Sequence, residues 1–516
     1  MSDPSPFVAR WHEVTSLHAP RVAIADDGGS VSFGELAARA RSYAARLAAG
    51  RGSLDGARVV LLAPPSAEWV AAFWGVLLAG GVAVPLSAAY PPGELEYFAN
   101  DAGASLALVS ELEHAGVSAA QLDAVTRGRA VVTVSAAGST LSWDGGFPAA
   151  ESVALLLYTS GTTGKPKGAM ISHRAIATQT SLLRDAWELG PRDVLLHALP
   201  LHHLHGLVIS LCSALLAGAS ARMLPRFDAE RVWSLVAERE APLAPTVWMA
   251  VPTMYQRLFE AFERASEPTQ ARLRAGAHAL RLATSGSAAL PVTQAERWAE
   301  LAGAVPLERF GMTEIGVGAS NPLHPAGRRA GHVGAPLPTV EHRIVGDDGR
   351  DVQPGEPGEL WIRGPSLFSG YWGRPEASAE AFSGGGWFRT GDVAVESPGG
   401  SLRLLGRTSV DILKSGGYKL SALEIEEVLR EHPAVAEVAV VGLPDEAWGD
   451  RVVAAVVAHA RHAEAELATE RVREFCRERL ASYKLPREVV LLDELPRNAL
   501  GKVQKPELVR ALQRRP

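Results

Sequence analysis

The segment Tyr158-Thr-Ser-Gly-Thr-Thr-Gly-Lys-Pro-Lys-Gly168 concentrates four Ser/Thr hydroxyls, three glycines and two lysines in eleven residues. Glycines let backbone N–H groups converge on an anion, and the hydroxyls and lysines add donors and positive charge at the same point. That chemistry suits a polyphosphate. The common nucleotide loop G-x-x-x-x-G-K-[ST] does not fit, because Pro166 follows Lys165. A surface hairpin is the plain alternative for such a run. The apolar stretch Val153–Leu157 before it and the Lys-Pro-Lys inside it favour the phosphate reading.

The elements that must carry this loop alternate between helix and strand. Ser32 and Glu35 form a capping-box pattern ahead of an amphipathic helix through Leu47. Val59–Ala63 reads as a buried strand, Ser66–Ala79 as a helix and Val82–Pro85 as a strand. The same rhythm returns at Val194–Ala198, Ala219–Leu224 and Leu280–Thr284. Such alternation predicts an α/β fold with largely parallel βαβ sheets, and ligands at the carboxyl ends of the strands. From about Val333 short β pieces take over, at His342–Val345, Glu359–Arg363 and Ser401–Leu405. A compact α+β tail follows, with helices at Ala422–His432 and Thr469–Leu480 and strands at Val435–Val441 and Arg451–Ala458. We therefore expect a large N-terminal domain, 1–408, with a small β subdomain, and a small C-terminal domain, 409–516.

Composition narrows the setting. A chain of 516 residues exceeds one ordinary core. Its 47% hydrophobic and 21% charged residues are those of a globular protein. The formal charge of −6 points away from nucleic acid as a partner. Cys212 and Cys476 lack metal-ligand spacing and imply no disulfide framework, which fits a reducing cytoplasm. No apolar run of signal-peptide or membrane-span length is evident, so we expect no stable membrane association. Lysine is scarce in this arginine-rich chain: Lys165, Lys167, Lys414, Lys419, Lys484, Lys502 and Lys505 are all there are. Where arginine is the default cation, a lysine is retained for its own chemistry.

Six further segments accompany the first in order: Leu199-Pro-Leu-His-His-Leu-His-Gly206, Ser285-Gly-Ser287, Glu308-Arg-Phe-Gly-Met-Thr-Glu314, Trp387-Phe-Arg-Thr-Gly-Asp392, Gly406-Arg-Thr-Ser-Val-Asp-Ile-Leu-Lys-Ser-Gly-Gly-Tyr-Lys419 and Pro496-Arg-Asn-Ala-Leu-Gly-Lys502. Over nearly its whole length the chain resembles the adenylate-forming superfamily of acyl-CoA synthetases, adenylation domains and luciferases. The resemblance implies ATP, Mg²⁺ and coenzyme A. Thr159, Ser160, Gly161, Thr163, Gly164, Lys165 and Lys167 would hold phosphates. Glu314, helped by Thr162 or Thr163, would ligate the metal, and His203 would join them as a catalytic residue. Ser285, Gly286, Thr313 and Phe310 would meet the nucleotide, with the Phe310 ring against adenine where relatives usually carry tyrosine. Asp392 would accept from the ribose hydroxyls, and Arg407 would reach the ribose or phosphate. Lys502 would bridge carboxylate, α-phosphate and ribose during adenylation. The tail would then swing, bringing Lys414 and the glycine-rich face at Gly417 to the site for thiolation. The pivot falls on Ser409 where relatives usually have Asp or Lys, which puts a charge-based account of the swing in doubt.

The acid pocket would be lined by His205, Arg257, Ser287, Arg309 and Met312. Relatives with neutral acyl substrates generally have glycine at the position of Arg309. A partly buried arginine carries a desolvation cost unless an anion meets it, and a second substrate carboxylate could do so in bidentate fashion. The alternatives are an ion pair with Glu308 for Arg309 and a solvated helix face for Arg257. The motif wording is most similar to malonyl-CoA synthetases, implying malonate + ATP + CoA → malonyl-CoA + AMP + pyrophosphate. Methylmalonate is a credible second substrate, since one methyl group is worth only about 1–3 kcal/mol of discrimination. Rival readings are a synthetase for another short acid, an adenylation enzyme loading a carrier protein, a kinase or ATPase, and a silent nucleotide-binding protein. Only 503–516 follow Lys502, so any carrier protein is expected to be separate.

Overall fold

The computed structural model describes residues 3–110, 116–135, 141–159, 165–416, 418–446, 448–459, 464–497 and 503–515. Ser160, Gly161, Thr162, Thr163, Gly164, Gly417 and Lys502 lie outside the described residues, and so do the roles expected of them.

A nine-stranded sheet has the spatial order Ala335–Pro336, Gly316–Ser320, Leu307–Met312, Leu282–Ser285, Val247–Ala250, Val194–His197, Ser220–Met223, Val22–Asp26, Gly29–Ser32. Its centre is parallel, so the strands ending at His197, Ala250 and Ser285 finish on one edge. Leu307–Met312 extends this parallel set and then pairs antiparallel with Gly316–Ser320. A seven-stranded sheet is built from Gly370–Tyr371, Lys167–Ser172, Val153–Thr159, Val82–Pro85, Arg58–Leu62, Leu106–Ser110 and Ala130–Val134. Within it Val153–Thr159 and Lys167–Ser172 are antiparallel, with Thr159 opposite Lys167. The glycine-rich segment thus connects two antiparallel strands, rather than leading from a strand into a helix as the common nucleotide loop does.

Local sequence explains the helices that separate these sheets. Ser32 Oγ accepts from Glu35 N at 3.2 Å while the Glu35 carboxylate accepts from Ser32 N at 2.8 Å, closing the capping box that opens Phe33–Ala48. Ala67–Leu78 starts at Ser66 and is buried on every side except at Glu68. It reads as uniformly apolar because it sits inside the molecule rather than on its surface. Beyond Val333 an antiparallel sheet is formed by Glu341–Val345, Gly358–Arg363, Trp387–Glu396 and Phe382–Ser383, with Leu402–Arg407 beside Trp387–Glu396.

The tail has its own sheet, ordered Tyr418–Ser421, Ile412–Ser415, Gly449–Ala458, Val435–Asp445, with Glu488–Leu491 parallel to Gly449–Ala458. The apolar core of the large part ends at Leu402, and the clusters under the tail sheet begin at Leu413. Polar contacts among the described residues join the parts: Thr293 N donates to Glu427 Oε1 at 3.2 Å, Lys419 pairs with Asp347, and beside the boundary Ser421 Oγ donates to Leu405 O at 2.6 Å and Arg407 N to Asp411 Oδ2 at 3.0 Å. No helix among the described residues is long and apolar enough to cross a membrane. Cys212 and Cys476 are free and buried.

Candidate active site

The parallel strand ends converge on an arginine. Arg309 lies on Leu307–Met312 and is only 4% exposed, yet its Nε and Nη2 meet no partner among the described residues. Burial lowers its pKa to about 10. The guanidinium lies flat against Gly286. A Cβ there would sit 2.4 Å from Arg309 Cζ and 2.5 Å from its Nε, so only glycine leaves room. Next to it His205 Nδ1 shares a hydrogen bond with Ser287 Oγ at 3.0 Å, and Ser287 holds a left-handed φ of +68°. Such strain in a non-glycine residue collects at functional sites. His205 is held neutral, first by burial and then by the Arg309 charge beside it. Its Nε2 and the buried Ser285 Oγ also lack partners among the described residues. Buried polar atoms are nearly always hydrogen-bonded, so several unpartnered ones together mark a place where a polar ligand is accommodated.

One alternative is excluded here and one expectation is corrected. Glu308 does not pair with Arg309, because neighbours on a strand point to opposite faces. Its carboxyl accepts from Gly331 N at 3.0 Å, and burial pushes its pKa up to about 8. Arg257 is exposed and does not join the cluster. The helix Pro252–Arg264 turns Tyr255, Leu258, Phe259 and Phe262 inward, which leaves position 257 outside.

His205 owes its placement to an irregular helix. His205–Cys212 is wound as a π-helix, with Ser213 Oγ donating to Val208 O at 3.0 Å, before α-helical Ser213–Leu216 resumes. Turns of this kind are rare and frequent at functional sites. His203, in the preceding turn, has its ring centre 4.1 Å from that of His202 with the planes tilted by 48°, and burial lowers its pKa to about 4. Met312 is half-buried at the end of the Arg309 strand, and Thr313 follows it.

A second wall carries acids and lysines. Glu314 is buried, and its Oε1 accepts from Tyr371 O–H at 2.8 Å. Lys167 Nζ stands 5.3 Å from the centre of the same tyrosine ring, so the hairpin strand and Glu314 meet across Tyr371. Thr159 Oγ1 donates to Lys167 O at 3.4 Å, and Lys165 lies over Tyr97 at 5.4 Å. Tyr371 was missed from sequence: a single tyrosine 57 residues from Glu314 gives no local signal. Phe310 is 6% exposed, so most of its ring is already covered by protein.

Asp392 and Arg407 are direct neighbours on paired strands, joined by a 3.1 Å contact from Arg407 Nε to Asp392 Oδ1. Arg407 Nη1 also donates to Thr390 O at 2.8 Å, and Asp392 N donates to Thr390 Oγ1 at 3.1 Å. Lys414 is exposed on the tail sheet, and its backbone N–H donates to Asp450 Oδ2 at 2.7 Å.

The chain belongs to the AMP-binding enzyme family. The AMP-binding enzyme description matches residues 11–372, and the AMP-binding enzyme C-terminal domain matches 424–502. The chain is similar to the mitochondrial malonate–CoA ligase ACSF3 of Mus musculus, with 41% identity over 95% of this chain and 88% of that protein. It superposes on ATP-bound MatB from Rhodopseudomonas palustris with a TM-score of 0.86 at 34% identity, covering 99% of each chain. A malonyl-CoA ligase ternary product complex with methylmalonyl-CoA and AMP gives 0.67 at 39% identity, over 92% of this chain and 97% of that one.

Proposed function

We propose that this protein is an acid–thiol ligase that makes malonyl-CoA from malonate, ATP and CoA through malonyl-AMP. The observation that carries the reading is Arg309: a buried cation with unpartnered donors, in a pocket whose other polar groups are neutral. One malonate carboxylate pairs with that guanidinium and is thereby kept out of reaction. The other attacks the α-phosphorus of ATP, and pyrophosphate leaves. The CoA thiol, its proton lost, then attacks the acyl carbon and AMP leaves. His205 and Ser287 orient the bound acid, and Asp392 holds the ribose with Arg407 at its side.

Glu314 fits an Mg²⁺ ligand. It is a buried hard-oxygen donor that makes no ion pair among the described residues, and its one partner, Tyr371, fixes its rotamer. When bound, the ion neutralises charge on the phosphates. Thr162 is assigned beside it, with 159–167 around the phosphates and Lys502 at the carboxylate during adenylation. We assign the domain boundary after residue 408, with Ser409 as pivot, which agrees with the break between the apolar cores. The chain superposes better on an ATP-bound relative than on a product complex of higher identity, which supports an adenylation-like arrangement here. Methylmalonate is a second substrate on this reading, with Met312 assigned to the acid pocket.

A pyrophosphate-release screen over short mono- and dicarboxylic acids tests the reading. Malonate should be turned over best, methylmalonate next, and acetate and butyrate far more slowly. A monocarboxylate preferred over malonate would overturn it.

A further inference from the structure

The chain on both sides of the segment 498–502 is tied down. Arg497 and Val503 form an antiparallel bridge, and Gln504 N donates to Pro496 O at 2.8 Å. One strand-like stem therefore closes the segment that carries Lys502. Immediately after the stem, Lys505 points inward rather than into solvent. Its side chain is 10% exposed, and Nζ lies 2.6 Å from Asp411 Oδ1 and 2.7 Å from Glu426 Oε1. Burial by itself would lower its pKa, but the Glu426 and Asp411 charges outweigh that and raise it, so the ammonium is retained. An isolated lysine near a chain end is ordinarily a solvated charge. Here it is the centre of a buried cluster.

Asp411 is the informative member. Its other oxygen, Oδ2, accepts from Arg407 N at 3.0 Å. Lys505 and Glu426 lie on the tail side of Ser409, while Arg407 lies on the large-domain side and pairs with Asp392. Asp411 thus contacts both sides of the pivot at once. The approach is tight: a Cβ on Gly406, whose φ is +121°, would fall 2.4 Å from Asp411 Cβ. Glu426 is held independently by Val440 N at 2.9 Å and Arg430 at 3.1 Å, so it serves as a fixed anchor.

We propose that Lys505 is a positioning residue for the adenylation half-reaction, coupling the stem of the Lys502 segment through Asp411 to the Arg407–Asp392 pair. The inference rests on the reading of Lys502 as the adenylation lysine and Ser409 as the pivot. A swing at Ser409 breaks the Asp411 to Arg407 link but leaves Lys505, Asp411 and Glu426 together on the tail. The coupling therefore exists only in the arrangement seen here. Thiolation, which needs neither Lys502 nor this arrangement, does not depend on it.

The test separates the half-reactions in the full-length enzyme. Malonate-dependent ATP–pyrophosphate exchange reads adenylation, and CoA-dependent AMP release from supplied malonyl-AMP reads thiolation. Lys505→Met should slow exchange by about 10-fold or more, the scale of a catalytic group displaced by a fraction of an ångström, while thiolation stays within about 3-fold. Equal losses in both, as from a smaller folded fraction, would overturn the proposal, and so would no loss. Should Lys505→Met fail to fold, Asp411→Asn, which keeps the side-chain shape, is read by the same ratio. Lys502→Ala is measured in parallel. If it spares exchange, the underlying reading of Lys502 fails. If it abolishes exchange while the Lys505 ratio is unchanged, the Lys505 inference alone fails.

Discussion

At the scale of single residues, the acid site is decided by what Arg309 is denied. Adjacent Glu308 faces away, and Gly286 provides the surface on which the guanidinium lies. Arg309→Gly should depress malonate turnover far more than acetate or butyrate turnover, since only the diacid loses a charged partner; kcat/KM for each acid checks this. Gly286→Ala should act on the same selectivity without touching a charge. Its methyl group displaces the guanidinium, and malonate KM should rise by roughly 10-fold or more, since misplaced binding groups are this costly. Glu308 carries a pH signature. Its pKa is about 8 in the fold against an ordinary 4.5, so the folded state binds more protons between those values and stability falls as pH rises through that window. Glu308→Gln should therefore stabilise more at pH 9 than at pH 5 in thermal melts, and an unchanged difference would refute the buried proton. Arg309 drew attention in the sequence through the resemblance, because relatives with neutral acyl substrates generally carry glycine there. Its freedom from Glu308 follows from strand alternation once the strand is known. The service Gly286 does for it was not legible, since the two positions belong to different strands. Arg257 misled although the apolar spacing of Tyr255, Leu258, Phe259 and Phe262 already marks the inward face and leaves 257 on the solvated one.

At the scale of elements, most boundaries were readable and the exception is functional. Ser32 and Ser66 announce their helices by capping, and the strands at Val82–Pro85 and Val194–His197 stand within one residue of where their apolar runs predict. The π-helix at His205–Cys212 was not readable. After His205 its sequence is apolar but for Ser210 and carries no periodicity that separates a π from an α winding. A π turn amounts to one extra residue in an α-helix. Deleting one residue between His205 and Ser213 should restore the α winding and rotate His205 by about 100° relative to the helix that follows. Malonate KM should rise while thermal stability is kept or gained, a combination that a merely disruptive deletion would not produce.

At the scale of the whole molecule, two domains with separate cores meet through few polar contacts, and one of them is a charge at a helix start. Glu427 from the tail accepts from Thr293 N in the first turn of Val292–Ala302. An acidic group at that position contributes about 0.3–1 kcal/mol, enough to bias two domain arrangements by roughly 2- to 5-fold. Glu427→Gln should slow adenylation by that factor and leave thiolation equal or faster, measured as separate half-reactions. The two-part organisation was legible from the change of texture near Val333 and the self-contained pattern after Gly406. The contacts of Glu427 and Lys419 that set the parts against each other were not, because they join residues 134 and 72 apart in sequence.

The uncompensated Arg309 also has a bearing on how the protein tolerates heat. A buried cation without a counter-ion weakens the empty fold, and its anionic substrate restores the balance by mass action. The resting enzyme should thus be the least robust form it adopts. Arg309→Met, which fills similar volume without charge, should melt higher than wild type in the absence of malonate and lose the upward shift that malonate confers. Selection for a hardier protein would erode this position first, and the diacid activity with it.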